Sequence, residues 1–302
     1  MPLEIGGKSV IFMTGGTSFL GSHLLRGLVK RGYLVYCLRR ASSNLDRIID
    51  IASKVTWVDL ETTVFNNFFT AHQVDYVLHC ATNYGRGQID PGLTIETNLA
   101  MPLKLLHAAA VNDVKVFINT DTILDKGVSD YSLSKKQFAD WLESYSDKII
   151  GINMALEHFY GPGDDPSKFA THIIQSFLRG DKSIELTEGK QKRDFIYIDD
   201  VTRAFMTLFE NVATFKNRYY QFEVGTTHPV EIRKFVEIAK EVSGNQKTCL
   251  NFGAIPYRKN EIMTSNVDIT GLSALGWKPE VSLNDGLKRT IEIEKRRWQI
   301  ST

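Results

Sequence analysis

The stretch VIFMTGGTSFLGSHLL, residues 10–25, constrains the fold of this chain more than any other. A buried-strand pattern runs into a glycine turn and then into a helical repeat that ends near Gly32. Gly15 permits a tight turn and Gly21 permits close packing of the helix. The free N–H groups and the positive dipole end of such a helix attract a diphosphate. The stretch therefore predicts a dinucleotide site; an ordinary strand–helix turn is the alternative.

The alternation of strand and helix continues through the first half of the chain. Further strand-like runs are found at residues 34–39, 54–60, 75–81, 114–120 and 148–154. Strands separated by helices indicate βαβ units and a parallel sheet. We therefore predict an α/β fold, a Rossmann-type doubly wound parallel sheet with a smaller C-terminal α/β substrate-binding domain.

The end of the second strand carries information about the cofactor. It reads Leu-Arg-Arg and lacks the Asp or Glu that would bind a free ribose 2′-hydroxyl. Arg39 and Arg40 can instead pair with a 2′-phosphate, because guanidinium geometry suits phosphate oxygens. The pattern favours NADP(H) over NAD(H), with two solvated arginines as the alternative. Ser18 stands where a middle glycine is expected and should slightly restrict the backbone near the phosphates.

Composition and charge argue against several classes of partner. The 302 residues carry a net charge of +1 without a polybasic run, so neither nucleic acid nor a membrane is predicted as the main partner. The three cysteines are far apart, and the seven histidines show no metal-ligand spacing, so we predict neither a disulfide framework nor a metal. The N-terminal residues lack the pattern of a signal peptide, which predicts a soluble, cytoplasmic protein.

The stretch DYSLSK, residues 130–135, places Tyr131 and Lys135 four positions apart. On a helix this spacing brings both side chains to one face. Alone the pair has little specificity, since exposed Tyr and Lys often share a helix surface. It gains weight from the nucleotide motif that precedes it in the chain.

Together these motifs resemble the extended short-chain dehydrogenase/reductases, the NAD-dependent epimerase/dehydratase family. The likeness extends over nearly the whole chain and is carried by residues 14–21, 58–60, 79–82, 159–164 and 193–201. Ser18 departs from the family's usual glycine. Within the family, the chain is most similar to sugar-nucleotide 4-ketoreductases of the CDP-abequose and CDP-paratose synthase type.

The resemblance implies a catalytic set made of Thr120, Tyr131 and Lys135. Carbonyl reduction needs a hydride from nicotinamide and a proton for the developing alkoxide. The phenol can give that proton, but its reference pKa is near 10. We expect the Lys135 ammonium, together with the nicotinamide charge, to lower the Tyr131 pKa by about 3 units. Thr120 would hold the substrate oxygen.

Cofactor and substrate residues follow from the same resemblance and from their positions near strand ends. The predicted cofactor contacts are Gly15, Thr17, Ser18, Phe19, Leu20, Gly21, Arg39, Arg40, Asp59, Leu60, Ala81, Asn98, Tyr131 and Lys135. For Asn98, a helix kink before Pro102 is an alternative to support of Lys135. The predicted substrate contacts are Tyr84, Arg86, Asp121, Thr122, Glu157, His158, Arg193, Arg258 and Glu261. For these, surface or packing roles are the alternative.

The implied activity is NADPH-dependent reduction of the 4-keto group of a nucleotide-linked hexose. The sugar is expected to be a 6-deoxy or 3,6-dideoxy hexose linked to CDP, for a bacterial surface polysaccharide such as the lipopolysaccharide O-antigen. We predict that residues 1–156 form the NADP(H)-binding domain, with 193–225 returning to it, and that 157–302 mainly bind the nucleotide-diphosphate sugar.

Other activities stay open at this point. A 4,6-dehydratase would need a base after the active-site threonine, and the hydroxyl of Thr122 cannot serve as one. A 4-epimerase or 4-dehydrogenase would use the same catalytic residues. A non-catalytic NADP-binding sensor is a further alternative, because fold does not determine function.

Two segments have more apolar surface than one core contact needs. One is the helix at 130–145, with Phe138, Trp141, Leu142 and Tyr145, and the other is 99–110. In related enzymes the corresponding helices pair between two subunits. We therefore predict a homodimer, with coverage by the C-terminal helices of the same chain as the alternative.

Overall fold

The computed structural model describes residues 9–87, 90–258 and 261–301. The first eight residues, on which the prediction about a signal peptide depends, lie outside this range.

The strands are β1 (Val10–Thr14), β2 (Leu34–Arg39), β3 (Thr56–Asp59), β4 (Tyr76–His79), β5 (Val116–Thr122), β6 (Ile150–Leu156), β7 (His158–Tyr160), β8 (Ser183–Leu186), β9 (Lys192–Arg193), β10 (Phe195–Tyr197), β11 (Tyr219–Val224), β12 (Val230–Glu231) and β13 (Cys249–Phe252).

The helices alternate with these strands. They are α1 (Phe19–Lys30), α2 (Phe65–Ala71), α3 (Gly92–Ile95), α4 (Met101–Val111), α5 (Asp130–Ser144), α6 (Phe169–Arg179), α7 (Ile198–Asn211), α8 (Ile232–Ser243), α9 (Thr270–Ala274) and α10 (Leu283–Ser301). No helix in the described part of the chain is long and apolar enough to cross a bilayer.

A central sheet dominates the fold. Within the described residues it has seven strands in the order β11-β6-β5-β4-β1-β2-β3. Strands β1 to β6 pair in parallel, with helices as the connections between several of them. The strand order reverses between β1 and β4, which is the point where doubly wound sheets bind ligands. The predicted fold class is confirmed.

Strand β5 shows why the sheet is buried on both faces. Every residue from Val116 to Thr122 is buried, including the polar residues at its carboxyl end. Parallel sheets covered by helices on both faces produce this pattern. Because the carboxyl ends of parallel strands meet at one edge, β5 delivers its polar residues to the edge where the glycine turn follows β1.

The chain divides into two compact units. The first runs to Leu156 and includes Phe205–Glu223, and the second contains Glu157–Ala204 and Val224–Thr302. In the second unit, helices α6, α8 and α10 pack together. The fully buried Asp194 there accepts hydrogen bonds from the backbone N–H groups of Thr226 and Thr227. The cofactor and substrate roles of these units stay a prediction.

Candidate active site

The glycine turn after β1 leaves no room for side chains. Gly15 has φ +72°, and a Cβ there would lie 2.5 Å from the Ala81 nitrogen. A Cβ on Gly21 would lie 2.0 Å from the Gly15 carbonyl oxygen. Ser18 is the N-cap of α1, and its Oγ accepts a hydrogen bond from the Gly21 N–H at 3.1 Å. The serine at this position therefore stabilises the helix start, a role that the sequence pattern did not indicate.

Gly21→Ala is expected to lower the free energy of unfolding by about 2–3 kcal/mol, because the new methyl group collides with backbone rather than with a flexible side chain. Chemical denaturation measures this loss. Gly27→Ala in the same helix is the matched control, since its Cβ meets only the Met206 side chain, at 2.9 Å. Equal stability of the two variants would contradict the close approach at Gly21.

A cavity of about 790 Å³ opens beside this turn. Seven of the predicted cofactor residues line it, namely Gly15, Thr17, Ser18, Arg39, Arg40, Leu60 and Ala81. Arg39 also stacks on the Trp57 ring at 5.3 Å. Ser43, which the sequence reasoning missed, lines the same wall, and its Oγ accepts a hydrogen bond from the Arg40 N–H at 3.1 Å. The signal available in the sequence was a serine hydroxyl three positions after the Arg39–Arg40 pair.

The Asp59 side chain accepts a hydrogen bond from the Glu61 N–H at 2.7 Å. The carboxylate therefore closes the turn after β3. Asp59 does not line the cavity beside the turn, and its role as a cofactor contact stays a prediction. Phe19, Leu20 and Gly21 form the start of α1 and do not line the cavity. At this position only their backbone N–H groups could bind an anion.

Helix α5 begins with a capping box that sets the position of Tyr131. Ser129 Oγ accepts a hydrogen bond from the Ser132 N–H at 3.2 Å, and Ser132 Oγ accepts one from the Ser129 N–H at 3.0 Å. Tyr131 therefore lies in the first turn and Lys135 one turn later. The helical spacing expected for the pair is confirmed.

Lys135 is a buried cation without a visible partner. Its side chain is 1% exposed, and its Nζ makes no hydrogen bond to any part of the chain that the structure describes. Burial lowers the pKa of Lys135 to about 8, against the opposing effect of Asp121. Buried polar groups without partners are rare, and strongly perturbed ones cluster at functional sites. Lys135 is therefore suited to bind a hydroxyl-bearing ligand.

The Tyr131 ring contacts the ring of a second tyrosine at a tilt of 41°. The rings of Tyr131 and Tyr84 are 5.0 Å apart, and the Arg86 guanidinium lies 5.0 Å from the Tyr84 ring. Burial raises the pKa of Tyr131 well above its usual value, and Tyr84 adds to this. The expectation that Lys135 lowers this pKa was wrong for the protein's own groups, because desolvation outweighs them.

Two threonines at the end of β5 share one face of the strand. The Thr120 hydroxyl donates to the His79 carbonyl at 3.1 Å. The Thr122 hydroxyl accepts from the Leu124 N–H at 3.2 Å, and the Thr122 side chain acts to lower the Tyr131 pKa. The role of Thr120 as the group that holds the substrate oxygen stays a prediction.

Asp121 points away from this face, because side chains alternate along a strand. Its carboxylate is fully buried and accepts hydrogen bonds from Lys136 Nζ at 2.8 Å and from Asn153 Nδ2 at 2.9 Å. These contacts give Asp121 a role inside the fold, and its role as a substrate contact stays a prediction.

Asn98 is also engaged elsewhere than expected. It lies in a π-helical turn, Glu96–Ala100, just before Pro102. Its side chain bonds both the N–H and the carbonyl of Asn83 at 2.8 Å, and Ser134 Oγ at 3.1 Å. It thus ties the segment after β4 to α5, and it has no hydrogen bond to Lys135 among the described contacts.

The remaining predicted substrate residues belong to the second unit. Glu157 is buried, accepts a hydrogen bond from Ser265, and lies 3.0 Å from His158 Nδ1. Arg193 pairs with Glu261 and donates to the Ile262 carbonyl.

Arg193 and Arg258, both in the second unit, differ in their contacts and in their exposure. The Arg193 guanidinium is committed to Glu261, so its predicted role as a diphosphate ligand is not supported by its contacts. Arg258 is exposed, and its carbonyl accepts the Glu261 N–H at 3.1 Å.

A doubly wound parallel sheet with a glycine turn, a cavity at the strand-order reversal and a Tyr–Lys pair defines a Rossmann-type nucleotide-binding protein. The model of the NAD dependent epimerase/dehydratase family matches residues 11–225. CDP-abequose synthase of Salmonella muenchen is 31% identical over 94% of this chain and 98% of its own length. The synthase of Salmonella typhimurium strain LT2 is 30% identical over the same shares of both chains. The chain belongs to the NAD-dependent epimerase/dehydratase family.

Solved structures show the same fold over nearly the full length. The UDP-glucose 4-epimerase of Thermotoga maritima, solved with UDP-glucose, has a TM-score of 0.83 and 25% identity, covering 96% of this chain and 99% of that one. The UDP-glucuronic acid 4-epimerase of Bacillus cereus, solved with UDP-glucuronic acid and NAD, has a TM-score of 0.82 at 23% identity, covering 95% and 99%.

Proposed function

We propose that this chain modifies a nucleotide-linked sugar as an NADPH-dependent 4-ketoreductase. Its substrate is a CDP-linked 4-keto-6-deoxy or 4-keto-3,6-dideoxy hexose, and its product serves bacterial surface polysaccharide synthesis. The observation that carries the proposal is the buried Lys135 ammonium, without a partner in the described residues, one helical turn from Tyr131. The similarity to CDP-abequose synthases over nearly the full length supports the substrate class.

The residues present fit an NADP(H) cofactor. The turn at Gly15 and Gly21 lets backbone approach a diphosphate, and Arg39 and Arg40 line the cavity where a 2′-phosphate would be recognised. The Lys135 ammonium suits ribose hydroxyls. NADPH, when bound, supplies the hydride.

The protein's part in the reaction is to orient the carbonyl and to deliver a proton. Because burial raises its pKa, Tyr131 stays protonated at neutral pH and can donate to the more basic alkoxide. A threonine hydroxyl at the end of β5 can orient the carbonyl oxygen. The Tyr84 ring lies beside this phenol and Arg86 lies over the Tyr84 ring, which supports the proposal that both contact the sugar.

A 4-epimerase is the second candidate, and the likeness to the Thermotoga maritima enzyme favours it. The two are separated by incubating the protein with NADPH and a panel of CDP- and UDP-linked 4-keto-6-deoxy sugars, and in parallel with NAD and the corresponding 4-hydroxy sugars. A reductase oxidises one NADPH for each 4-hydroxy product. Interconversion of 4-hydroxy sugars without net cofactor consumption would overturn the reductase proposal, and cofactor binding without turnover of any sugar would indicate a sensor.

We also propose that two copies of the chain associate through α4 and α5. Phe138 and Leu142, which were expected to be surplus apolar surface, are fully buried in the first unit. The exposed apolar side chains are instead Leu133 at 40% and Trp141 at 47% on α5, and Val111 at 53% on α4. Such a face needs a partner, because it lies outside the core of its own unit.

Light scattering at micromolar concentration is expected to give twice the chain mass of 34.2 kDa. Trp141→Glu places a charge in the contact and should shift the mass to that of one chain. Ile49→Glu, at a more exposed apolar site outside α4 and α5, is the control and should stay dimeric. A single-chain mass for the unmodified protein would refute the dimer.

A further inference from the structure

Beside the candidate site lies a buried ion pair that the proposed reaction does not consume. The Asp121 carboxylate is fully buried, and Lys136 Nζ lies 2.8 Å from its Oδ2. Asn153 Nδ2 donates to the same oxygen at 2.9 Å, and Asn119 Nδ2 donates to Asn153 Oδ1 at 2.7 Å. These asparagines are opposite each other in β5 and β6. The pair is thus anchored in the sheet.

The same two residues hold the backbone of Thr122 from both sides. Lys136 Nζ donates to the Thr122 carbonyl at 2.5 Å, and the Thr122 N–H donates to Asp121 Oδ1 at 2.7 Å. The Thr122 Oγ1 accepts from the Leu124 N–H at 3.2 Å. With that lone pair occupied, the hydroxyl proton is available to the Tyr131 phenol, whose pKa the Thr122 side chain lowers.

We propose that Lys136 and Asp121 are positioning residues that fix Thr122 at the end of β5 beside the Tyr131–Lys135 pair and balance the charge there. The inference rests on the proposed role of Tyr131 as proton donor. Lys136 directly follows the Lys135 of the recognised motif, so sequence spacing alone gives it no role.

The charged groups near Tyr131 and Lys135 determine how the charge of the candidate site is balanced. The Tyr131 pKa responds to Tyr84 and Arg86 in the segment after β4, and to Asp121 and Thr122 in β5. Of these, Asp121 raises the Tyr131 pKa and Arg86 lowers it.

Lys135 is faced by His79 and Cys80 at the end of β4, by Asp121, and by Lys136 on its own helix. Asp121 raises the Lys135 pKa, and Lys136 lowers it. Tyr219 in β11 faces Asp121 from the other side. Removing either member of the ion pair therefore leaves the other charge uncompensated, with opposite effects on Lys135.

The test follows the Lys135 titration by NMR of ¹³Cε-labelled lysine, assigned with Lys135→Met. Lys136→Met should raise the Lys135 pKa above its value of about 8, because a bare carboxylate favours the ammonium. Asp121→Asn should lower it, and the double variant should return it towards the unmodified value. Lys126→Met, which removes an exposed lysine from the β5–α5 connection, is the control and should leave it unchanged. Single variants that shift the pKa in the same direction, or not at all, would overturn the charge balance.

The positioning role of Lys136 is tested by measuring kcat and the KM for NADPH. Lys136→Met should lower kcat by about 10²-fold with little change in the KM for NADPH, and Lys136→Arg should recover part of it. The double variant should stay slow although its Lys135 pKa is restored, because the bond to the Thr122 carbonyl is gone. Full kcat in the double variant would overturn the positioning role. The titration needs no substrate, so a failure of the proposed reaction is recognised separately, by the absence of turnover in the unmodified protein.

Discussion

Tyr131→Phe is expected to lower kcat for 4-keto sugar reduction by about 10³-fold while leaving the Kd for NADPH nearly unchanged. In the proposed mechanism the phenol is the proton donor, and removing one oxygen leaves the ring, its tilted contact with Tyr84 and the helix in place. Single-turnover kinetics measures the chemical step, and fluorescence titration measures NADPH binding.

Tyr145→Phe is the matched control for this prediction. Tyr145 follows the same helix, and its hydroxyl lies 3.3 Å from His107 Nδ1, away from the Tyr131–Tyr84 contact. It should retain turnover. Near-normal kcat in Tyr131→Phe would remove Tyr131 from the mechanism, and an equal loss in both variants would point to damage of α5.

Replacing Arg39 and Arg40 together with Ala is expected to weaken NADPH binding by about 10²-fold and to change NADH binding by less than about twofold. Both residues line the cavity beside the glycine turn. Hydrogen bonds from a guanidinium to a phosphate are charge-assisted and are worth about 1.5–3 kcal/mol each, whereas NADH offers no 2′-phosphate. Isothermal titration with both cofactors measures the difference.

The control for the cofactor prediction is Arg31→Ala, which removes an arginine of the same unit that is paired with Glu210 at 2.9 Å. It should bind both cofactors as the unmodified chain does. Equal affinity of the unmodified chain for NADPH and NADH would contradict the recognition of a 2′-phosphate.

The sequence predicted those features of the fold that depend on residues close together in the chain. The glycine turn follows from steric exclusion at Gly15 and Gly21, and the position of Tyr131 follows from helical spacing and the Ser129 capping box. Alternation of strand and helix also predicted the parallel sheet, since βαβ connections impose it.

The sequence was less informative about which polar residues face the site. Asp121, Asp59 and Arg193 each carry a side chain suited to a ligand, yet each is bound within the protein. Asn98 likewise occupies the position of the family residue that supports the lysine, but its side chain bonds Asn83 and Ser134. A motif records the type of a side chain and its position, but not its partner.

By itself, then, the sequence determined the Rossmann-type sheet, the nucleotide turn and the Tyr131–Lys135 pair, because backbone sterics and periodicity act between near neighbours. Tertiary structure decided that Asp121 is bound by Asn153 and that Arg193 pairs with Glu261. The partners concerned are remote in the chain: Asp121 and Asn153 are separated by 32 positions, and Arg193 and Glu261 by 68. Only folding brings such groups within hydrogen-bonding distance, and the desolvation that accompanies it sets the pKa values of Tyr131 and Lys135.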